Sequence, residues 1–319
     1  MQIAMISAEA SALPEYCTGF LRDAKVDVAY KKCGSDPKAL LEFAADAEAL
    51  WMHGFNPAVN AETLAEMPKV KVLYRSGSGV DSLPLDYAKA HGISVCATPE
   101  TISESVAEHT VALLLALARH VVQFDGQVRR GEWDSSARQT KWHLSGRTLG
   151  VVGFGRIGRR VAELVAGFRM NVLHFDPFVP DSTPLDELLQ KSDFVTLNCP
   201  LTPDTAGLIN GRTLNLMKPD ALLVNTSRGG VVDNDALYDA LTNGTLGGAA
   251  LDVIDPEPPE ASHPLLHCDK VIITPHIAAF SADFERNFWM GAAEKVVAIA
   301  DYLNGRSPRI AQAAAASII

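Results

Sequence analysis

The chain has 319 residues, 47% hydrophobic and 21% charged, with a formal net charge of −10. That length and balance predict two globular domains, each burying its own core. The charge argues against a basic nucleic-acid face, and the longest apolar run, Val111 to Ala118, is too short to span a bilayer. The start lacks a basic region followed by a signal-length apolar stretch, and Cys17, Cys33, Cys96, Cys199 and Cys268 are scattered without a C-x-x-C pair. The expectation is a reduced, cytoplasmic protein with neither a metal site nor a disulfide framework, and with no nucleic-acid or membrane partner.

In chain order, Ile3–Ile6, Val26–Ala29, Leu50–Met52, Val70–Tyr74 and Ile93–Cys96 read as strands, with Leu40–Ala47 and Ala61–Met67 as helices between them. Ser105 with Glu108 three residues on has the form of a capping box opening a helix through Val111–Arg119. A polar, tryptophan-bearing arm, Gln123 to Leu144, follows. A subunit interface and a buried interdomain helix are both open for this stretch. Further apolar runs begin at Leu149, Val172, Phe194, Ala221, Ala249 and Val271, spaced by 23, 22, 27, 28 and 22 residues. This is the spacing of strand, crossover and strand, so six parallel strands are expected. A helix from Ser281 to Leu303 then leaves that sheet, and the tail from Gly305 is alanine-rich. The first domain is expected to be discontinuous, 1–100 with 277–319, around an inserted domain of 101–276.

Gly153-Phe154-Gly155-Arg156-Ile157-Gly158 has the glycine spacing of a dinucleotide-binding turn. The strand candidate Thr148–Val152 enters it and the helix candidate Arg156–Phe168 leaves it. Such glycines permit a tight turn and close backbone approach, so the helix N-terminus can hold pyrophosphate. The side chain of Arg156 points either to that pyrophosphate or to solvent. Asp176, 18 residues past Gly158, ends the next apolar run. A carboxylate there accepts from the adenosine ribose and repels a 2′-phosphate, and no arginine follows, so NAD is expected over NADP. Its plain alternative is a turn residue at a strand end.

Three downstream strand ends carry Arg228, in Asn225–Gly230; Glu257, in Asp252–Pro258; and His276, in Thr274-Pro275-His276. Open α/β sheets bind ligands at the carboxyl ends of their strands. Histidine can deliver a proton to a developing alkoxide, a neighbouring carboxylate favours its protonated form, and a guanidinium can bind a substrate carboxylate. Each residue also has a structural reading: a histidine after a strand, a solvated loop carboxylate, an arginine paired with Asp233 or Asp235. Their joint occurrence beside a cofactor turn favours hydride transfer to a carbonyl.

From about Val70 to about Asp301 the chain resembles the D-2-hydroxyacid dehydrogenases. The resemblance rests on Arg75-Ser76-Gly77-Ser78-Gly79-Val80-Asp81, Ser105-Val106-Ala107-Glu108-His109, the glycine turn with Asp176, Ser227-Arg228-Gly229-Gly230, Leu251-Asp252-Val253 with Glu257, and Pro275-His276. It implies an α/β fold of two doubly wound parallel sheets, a Rossmann NAD domain inserted into a flavodoxin-like substrate domain with a cleft where they meet. It implies that Arg228, Glu257 and His276 are catalytic, and that the Ser78-Gly79 backbone takes the substrate carboxylate. Cofactor contacts are implied for Gly153, Gly155, Arg156, Ile157, Gly158, Asp176, Cys199, Thr226, Ser227, Arg228 and Asp252. Asp252 is placed at the nicotinamide carboxamide, and Cys199 makes its contact through backbone, without thiol chemistry. Arg75 matches an arginine of phosphoglycerate dehydrogenases, which points to an anionic substrate, although a strand-end arginine also serves to bind backbone.

Formate dehydrogenases of this fold carry glutamine in place of Glu257, and phosphite dehydrogenase carries lysine in place of Ser78, so both substrates are disfavoured. A regulatory domain of the serine-feedback type is not expected after residue 319. Phe280 and Trp289 are candidates for the pocket or the core, with core favoured for Trp289. The implied assembly is a homodimer through the helix and arm at Val111 to Leu144. The activity implied is an NAD-dependent 2-hydroxyacid dehydrogenase, or 2-ketoacid reductase in reverse. The alternative is an NAD(H)-sensing binding protein of the corepressor type on the same fold.

Overall fold

In the computed structural model, residues 2–133 and 143–308 are described. The chain divides into two compact units, Met1–Ile102 with Ser281–Ile319, and Ser103–Phe280. The first alternates β1 (Ile3–Met5), α1 (Glu15–Asp23), β2 (Val28–Tyr30), α2 (Pro37–Ala44), β3 (Ala49–His53), α3 (Ala61–Ala65), β4 (Val72–Ser76), α4 (Leu85–Ala90) and β5 (Ser94–Ala97). The second contains α5 (Ser103–Arg119), α6 (Val121–Arg129), β6 (Thr148–Val152), α7 (Arg156–Val165), β7 (Asn171–Phe175), α8 (Leu185–Lys191), β8 (Phe194–Leu197), α9 (Gly211–Leu214), β9 (Leu222–Asn225), α10 (Asn234–Asn243), β10 (Gly248–Leu251) and β11 (Val271–Ile273). The final helix, α11 (Phe284–Leu303), returns to the first unit.

The first sheet has the order β2-β1-β3-β4-β5, all parallel. This is the flavodoxin-like arrangement. Its strands alternate between two buried faces. Ile3, Met5, Trp51, Val72 and Tyr74 pack with Cys17 and Leu21 of α1 and Ala292, Val296 and Ile299 of α11. Ala4, Leu50, Met52 and Leu73 pack with Leu40 of α2 and Leu64 of α3. Burial on both sides explains why these strands read as unbroken apolar runs.

The second sheet has the order β11-β10-β9-β8-β6-β7, also parallel, and its direction of winding reverses at β6. The reversal marks where a doubly wound sheet binds ligands, at the carboxyl ends of its strands. One face is covered by α5 and α7 through Leu113, Leu114, Leu117, Val161 and Val165. The other is covered by Leu188 and Leu189 of α8 and Leu237 and Leu241 of α10. The α8 side packs closely against β6, since a Cβ on Gly150 would lie 2.4 Å from Leu188 Cδ2 and Ser192 Oγ.

Several local expectations shift. The helix expected to open at Ser105 begins at Ser103, so Ser105 lies inside its first turn rather than capping it. A 3-10 turn at Pro99–Thr101 leads directly into the helix, and Glu104 in that first turn pairs with Arg160 at 2.7 Å. His120, in the left-handed region at φ 51°, separates α5 from α6, and the two helices are bent by 62°. Residues 123–129 of the expected polar arm are therefore helical, and 134–142 lie outside the described residues. Among the described residues no single helix is long and apolar enough to cross a membrane.

Candidate active site

The turn after β6 is shaped by its glycines. Gly153 holds φ +87° and its amide donates to the Phe175 carbonyl at 2.8 Å. A Cβ there would lie 2.6 Å from the Cys199 amide nitrogen, and one on Gly158 would lie 2.1 Å from the Gly153 carbonyl oxygen. A Cβ on Gly155, by contrast, would meet nothing within 4 Å. Two glycines thus let backbone meet backbone, while the third leaves open space before the first amides of α7. That is the cradle a pyrophosphate requires, so the residues fit a dinucleotide. Arg156 is exposed, and Ile157 packs against the α5–α7 core.

Asp176 stands just past β7. Its Oδ2 accepts from the Phe154 amide at 2.8 Å and its Oδ1 from the Phe178 amide at 3.0 Å, so the carboxylate is fixed to the glycine turn. The Phe154 ring stacks on His174 with centroids 4.1 Å apart, and Arg159 lies over it at 4.7 Å. Cys199 is buried beside Gly153, and burial pushes its thiol up to about 11. Its thiolate is therefore suppressed near neutrality.

The three downstream segments meet through specific contacts. Fully buried Asn225, at the end of β9, accepts from the Ser227 amide at 3.0 Å and hydroxyl at 2.8 Å. Its amide donates to the Arg228 carbonyl at 2.9 Å, clamping the turn that bears Thr226, Ser227 and Arg228. The Arg228 guanidinium donates to the Ser227 carbonyl at 2.8 Å. A Cβ on Gly229 would lie 2.2 Å from the Ile254 carbonyl carbon, so the Arg228 turn presses on the loop that carries Glu257. Glu257 accepts from the Ile254 amide at 3.2 Å through Oε1 and from His276 Nδ1 at 2.7 Å through Oε2. Donation from Nδ1–H to the carboxylate fixes the imidazole tautomer and leaves Nε2 for chemistry. His276 is half exposed, with φ 53°.

Asp252 organises the His276 turn from beneath. Its side chain is fully buried and accepts from Thr274 Oγ1 at 2.5 Å and from the Ile277 and Ala278 amides at 3.0 and 2.8 Å. Its carbonyl accepts from the His276 amide at 2.8 Å. Sequence reasoning gave no role to Asn225, His109, Thr110 or Thr274. His109 Nε2 lies 3.2 Å from Thr274 Oγ1, and the Thr110 and Thr226 hydroxyls are 2.8 Å apart. The signal available was polar residues interrupting apolar runs, which need buried partners.

The remaining expected residues lie in the first unit. Ser78 and Gly79 follow β4 in a half-buried loop. Thr98 holds that loop, accepting from the Gly77 amide at 3.0 Å and donating its own amide to the Gly77 carbonyl at 2.8 Å. The Arg75 guanidinium donates to the Gly79 carbonyl, the backbone-binding alternative for that residue. Trp289 packs against the first core, edge-on to Trp51 at 6.5 Å, whereas Phe280 is 62% exposed.

Residues 111–278 match the family model for the "D-isomer specific 2-hydroxyacid dehydrogenase, NAD binding domain". The chain is 38% identical over 273 residues to D-3-phosphoglycerate dehydrogenase of Methanocaldococcus jannaschii, covering 82% of this chain and 52% of that one. It is 38% identical over 278 residues to glyoxylate reductase of Korarchaeum cryptofilum, covering 82% of each. A structure of D-lactate dehydrogenase from Aquifex aeolicus, complexed with NAD and lactic acid, superposes with a TM-score of 0.79 at 30% identity, over 95% of this chain and 96% of that one. The chain spans about half the length of the D-3-phosphoglycerate dehydrogenases it matches, 51–58%. The family match covers the glycine turn, Asp176 and all three strand-end turns, and the chain belongs to the D-isomer specific 2-hydroxyacid dehydrogenase family.

Proposed function

We propose that the chain is an NAD-dependent D-2-hydroxyacid dehydrogenase that acts in reverse as a 2-ketoacid reductase. The observation that carries this reading is the 2.7 Å bond between His276 Nδ1 and Glu257, made at a strand end of the NAD-binding domain. NAD, when bound, supplies the hydride acceptor and donor at its nicotinamide ring. In reduction His276 Nε2 gives a proton to the carbonyl oxygen as it becomes a hydroxyl; in oxidation it takes that proton back. The Glu257 carboxylate stabilises the imidazolium and fixes the ring. Arg228 binds the substrate carboxylate and polarises the neighbouring carbonyl.

Gly153, Gly155, Arg156, Ile157 and Gly158 are the proposed residues for the pyrophosphate, and Asp176 for the adenosine ribose. Cys199, Thr226, Ser227, Arg228 and Asp252 complete the proposed cofactor set. For the first unit we assign a substrate-holding role to the Ser78-Gly79 backbone, with Arg75 acting through the Gly79 carbonyl. A homodimer is favoured by the exposed apolar surface at Val121, Val122, Val128 and Trp133, the last 85% exposed. A reducing cytoplasm is favoured by five unpaired cysteines.

The test is oxidation of NADH with glyoxylate, hydroxypyruvate, pyruvate and phosphohydroxypyruvate. Turnover of at least one is expected. NADH binding without turnover of any would favour a sensing protein instead.

A further inference from the structure

We propose that His109 is a positioning residue, holding the His276 turn in place through Thr274 and Asp252. His109 lies on α5, with its side chain only 23% exposed. Its Nε2 is 3.2 Å from Thr274 Oγ1 and 3.6 Å from Asp252 Oδ1. The single hydroxyl proton of Thr274 goes to Asp252 Oδ1 at 2.5 Å. The threonine oxygen must therefore accept from His109, whose proton sits on Nε2. Beyond Asp252 the same chain of bonds reaches the backbone around His276. Both Asp252 oxygens accept amides, from Ile277 and Ala278, and its carbonyl accepts the His276 amide.

Two further observations connect this chain of bonds to the turn's conformation. His276 is a non-glycine residue at φ 53°, a conformation that persists only where its surroundings impose it. Asp252 imposes it through the amides on both sides, and Asp252 is a fully buried carboxylate whose donors cannot be replaced by water. The next residue of α5, Thr110, shares a 2.8 Å bond with Thr226 in the turn before Arg228. Adjacent residues on one helix thus fix the turns bearing both Arg228 and His276. Without the His109 donor, Thr274 loses its outer partner and the turn from 275 to 278 is free to shift. A misplacement of about 1 Å at a reacting group costs about a hundredfold in rate.

The catalytic consequence rests on the reading of His276 as acid/base; the geometric one does not. Three variants, His109→Leu, His109→Gln and Thr274→Val, separate the two in the full chain. His109→Leu is expected to lower kcat about 10- to 100-fold. His109→Gln, which keeps an N–H donor at similar reach, should restore kcat to within about threefold of wild type. Without coenzyme, amide hydrogen exchange at Ile277 and Ala278 should quicken at least about tenfold in His109→Leu and remain near wild type in His109→Gln. If His109→Leu does not fold, Thr274→Val, which removes the hydroxyl that joins His109 to Asp252, must show both changes. Wild-type exchange and kcat in His109→Leu would overturn the proposal, as would a glutamine variant no better than leucine. Wild-type protein inert toward every 2-ketoacid would instead overturn the proposed activity, leaving hydrogen exchange to decide the positioning role.

Discussion

His276 and Glu257 belong to different turns, yet imidazole Nδ1 lies 2.7 Å from carboxylate Oε2. The second carboxylate oxygen is occupied by the Ile254 amide at 3.2 Å, so Glu257 cannot swing away without leaving a backbone donor unpaired. The pair therefore predicts different outcomes for charge and for shape. His276→Ala removes the proposed proton donor and should lower kcat for reduction by about 10²- to 10⁴-fold. Glu257→Gln keeps an oxygen for one of the two donors and removes the charge, and should lower kcat by a smaller factor, about 10- to 100-fold. NADH affinity, read by fluorescence titration, should change less than about threefold in both. A Glu257→Gln enzyme with undiminished kcat would show that the carboxylate charge has no part in holding the imidazolium.

Asp176 holds the glycine turn in addition to its proposed ribose role, because its Oδ2 accepts the Phe154 amide at 2.8 Å. Asp176→Ala should thus weaken NADH binding twice over, by losing the ribose acceptor and loosening the glycine turn. Asp176→Asn keeps an oxygen for the Phe154 amide, gives up the acceptor for the Phe178 amide and removes the charge that repels a 2′-phosphate. The ratio of kcat/KM for NADPH over NADH should rise about tenfold or more in both, with the smaller loss of NADH activity in the asparagine variant. An unchanged ratio in both variants would remove Asp176 from coenzyme selection.

Both sheets were legible because buried parallel strands are apolar throughout and recur at crossover spacing. The run beginning at Val271, for example, is β11 from its first residue. Helix starts were less legible: Ser105 with Glu108 has the letters of a capping box, but a preceding 3-10 turn begins the helix at Ser103. The break at His120 carried no glycine or proline to mark it. The strand-end positions of Arg228, Glu257 and His276, and the meeting of the last two, were legible. Thr110, Thr274 and His109 were not, because they act in long-range bonds, and Asn225, whose bonds to Ser227 and Arg228 are local, was hidden as the buried polar end of an apolar strand. His109 and Thr274 are separated by 165 residues, a distance no local pattern encodes.

Gly155 and Gly158 belong to one motif but carry different constraints. A Cβ at Gly158 would sit 2.1 Å from the Gly153 carbonyl oxygen, a backbone atom that cannot rotate away. Gly158→Ala should lower the thermal midpoint of the apoprotein by about 3–10 °C. A Cβ at Gly155 would enter open space, so Gly155→Ala should leave that midpoint within about 2 °C and raise the NADH dissociation constant about tenfold or more. Calorimetric scans and titrations of the two variants measure both effects. Equal destabilisation by the two alanines would contradict the assignment of one glycine to packing and the other to ligand approach.

Asp193 ties the starts of two strands to a lysine across the fold, which gives acid sensitivity to the second unit. Burial opposes its ionisation, but the Thr148 amide at 2.9 Å, Lys218 at 2.9 Å and Arg147 at 3.5 Å outweigh that and hold its carboxyl below the usual 3.8. With the folded-state value depressed, the unfolded chain takes up the proton first as pH falls. The stabilisation is therefore complete above the unfolded value and is lost as pH descends through the folded one. Asp193→Asn should be less stable than wild type by about 1–2 kcal/mol near neutrality. That gap should hold down to about pH 5 and close progressively below about pH 4, as read by urea unfolding at a series of pH values. A gap that stayed constant into the acid range, or widened there, would mean that the Asp193 charge is not what binds Lys218 and the Thr148 amide together.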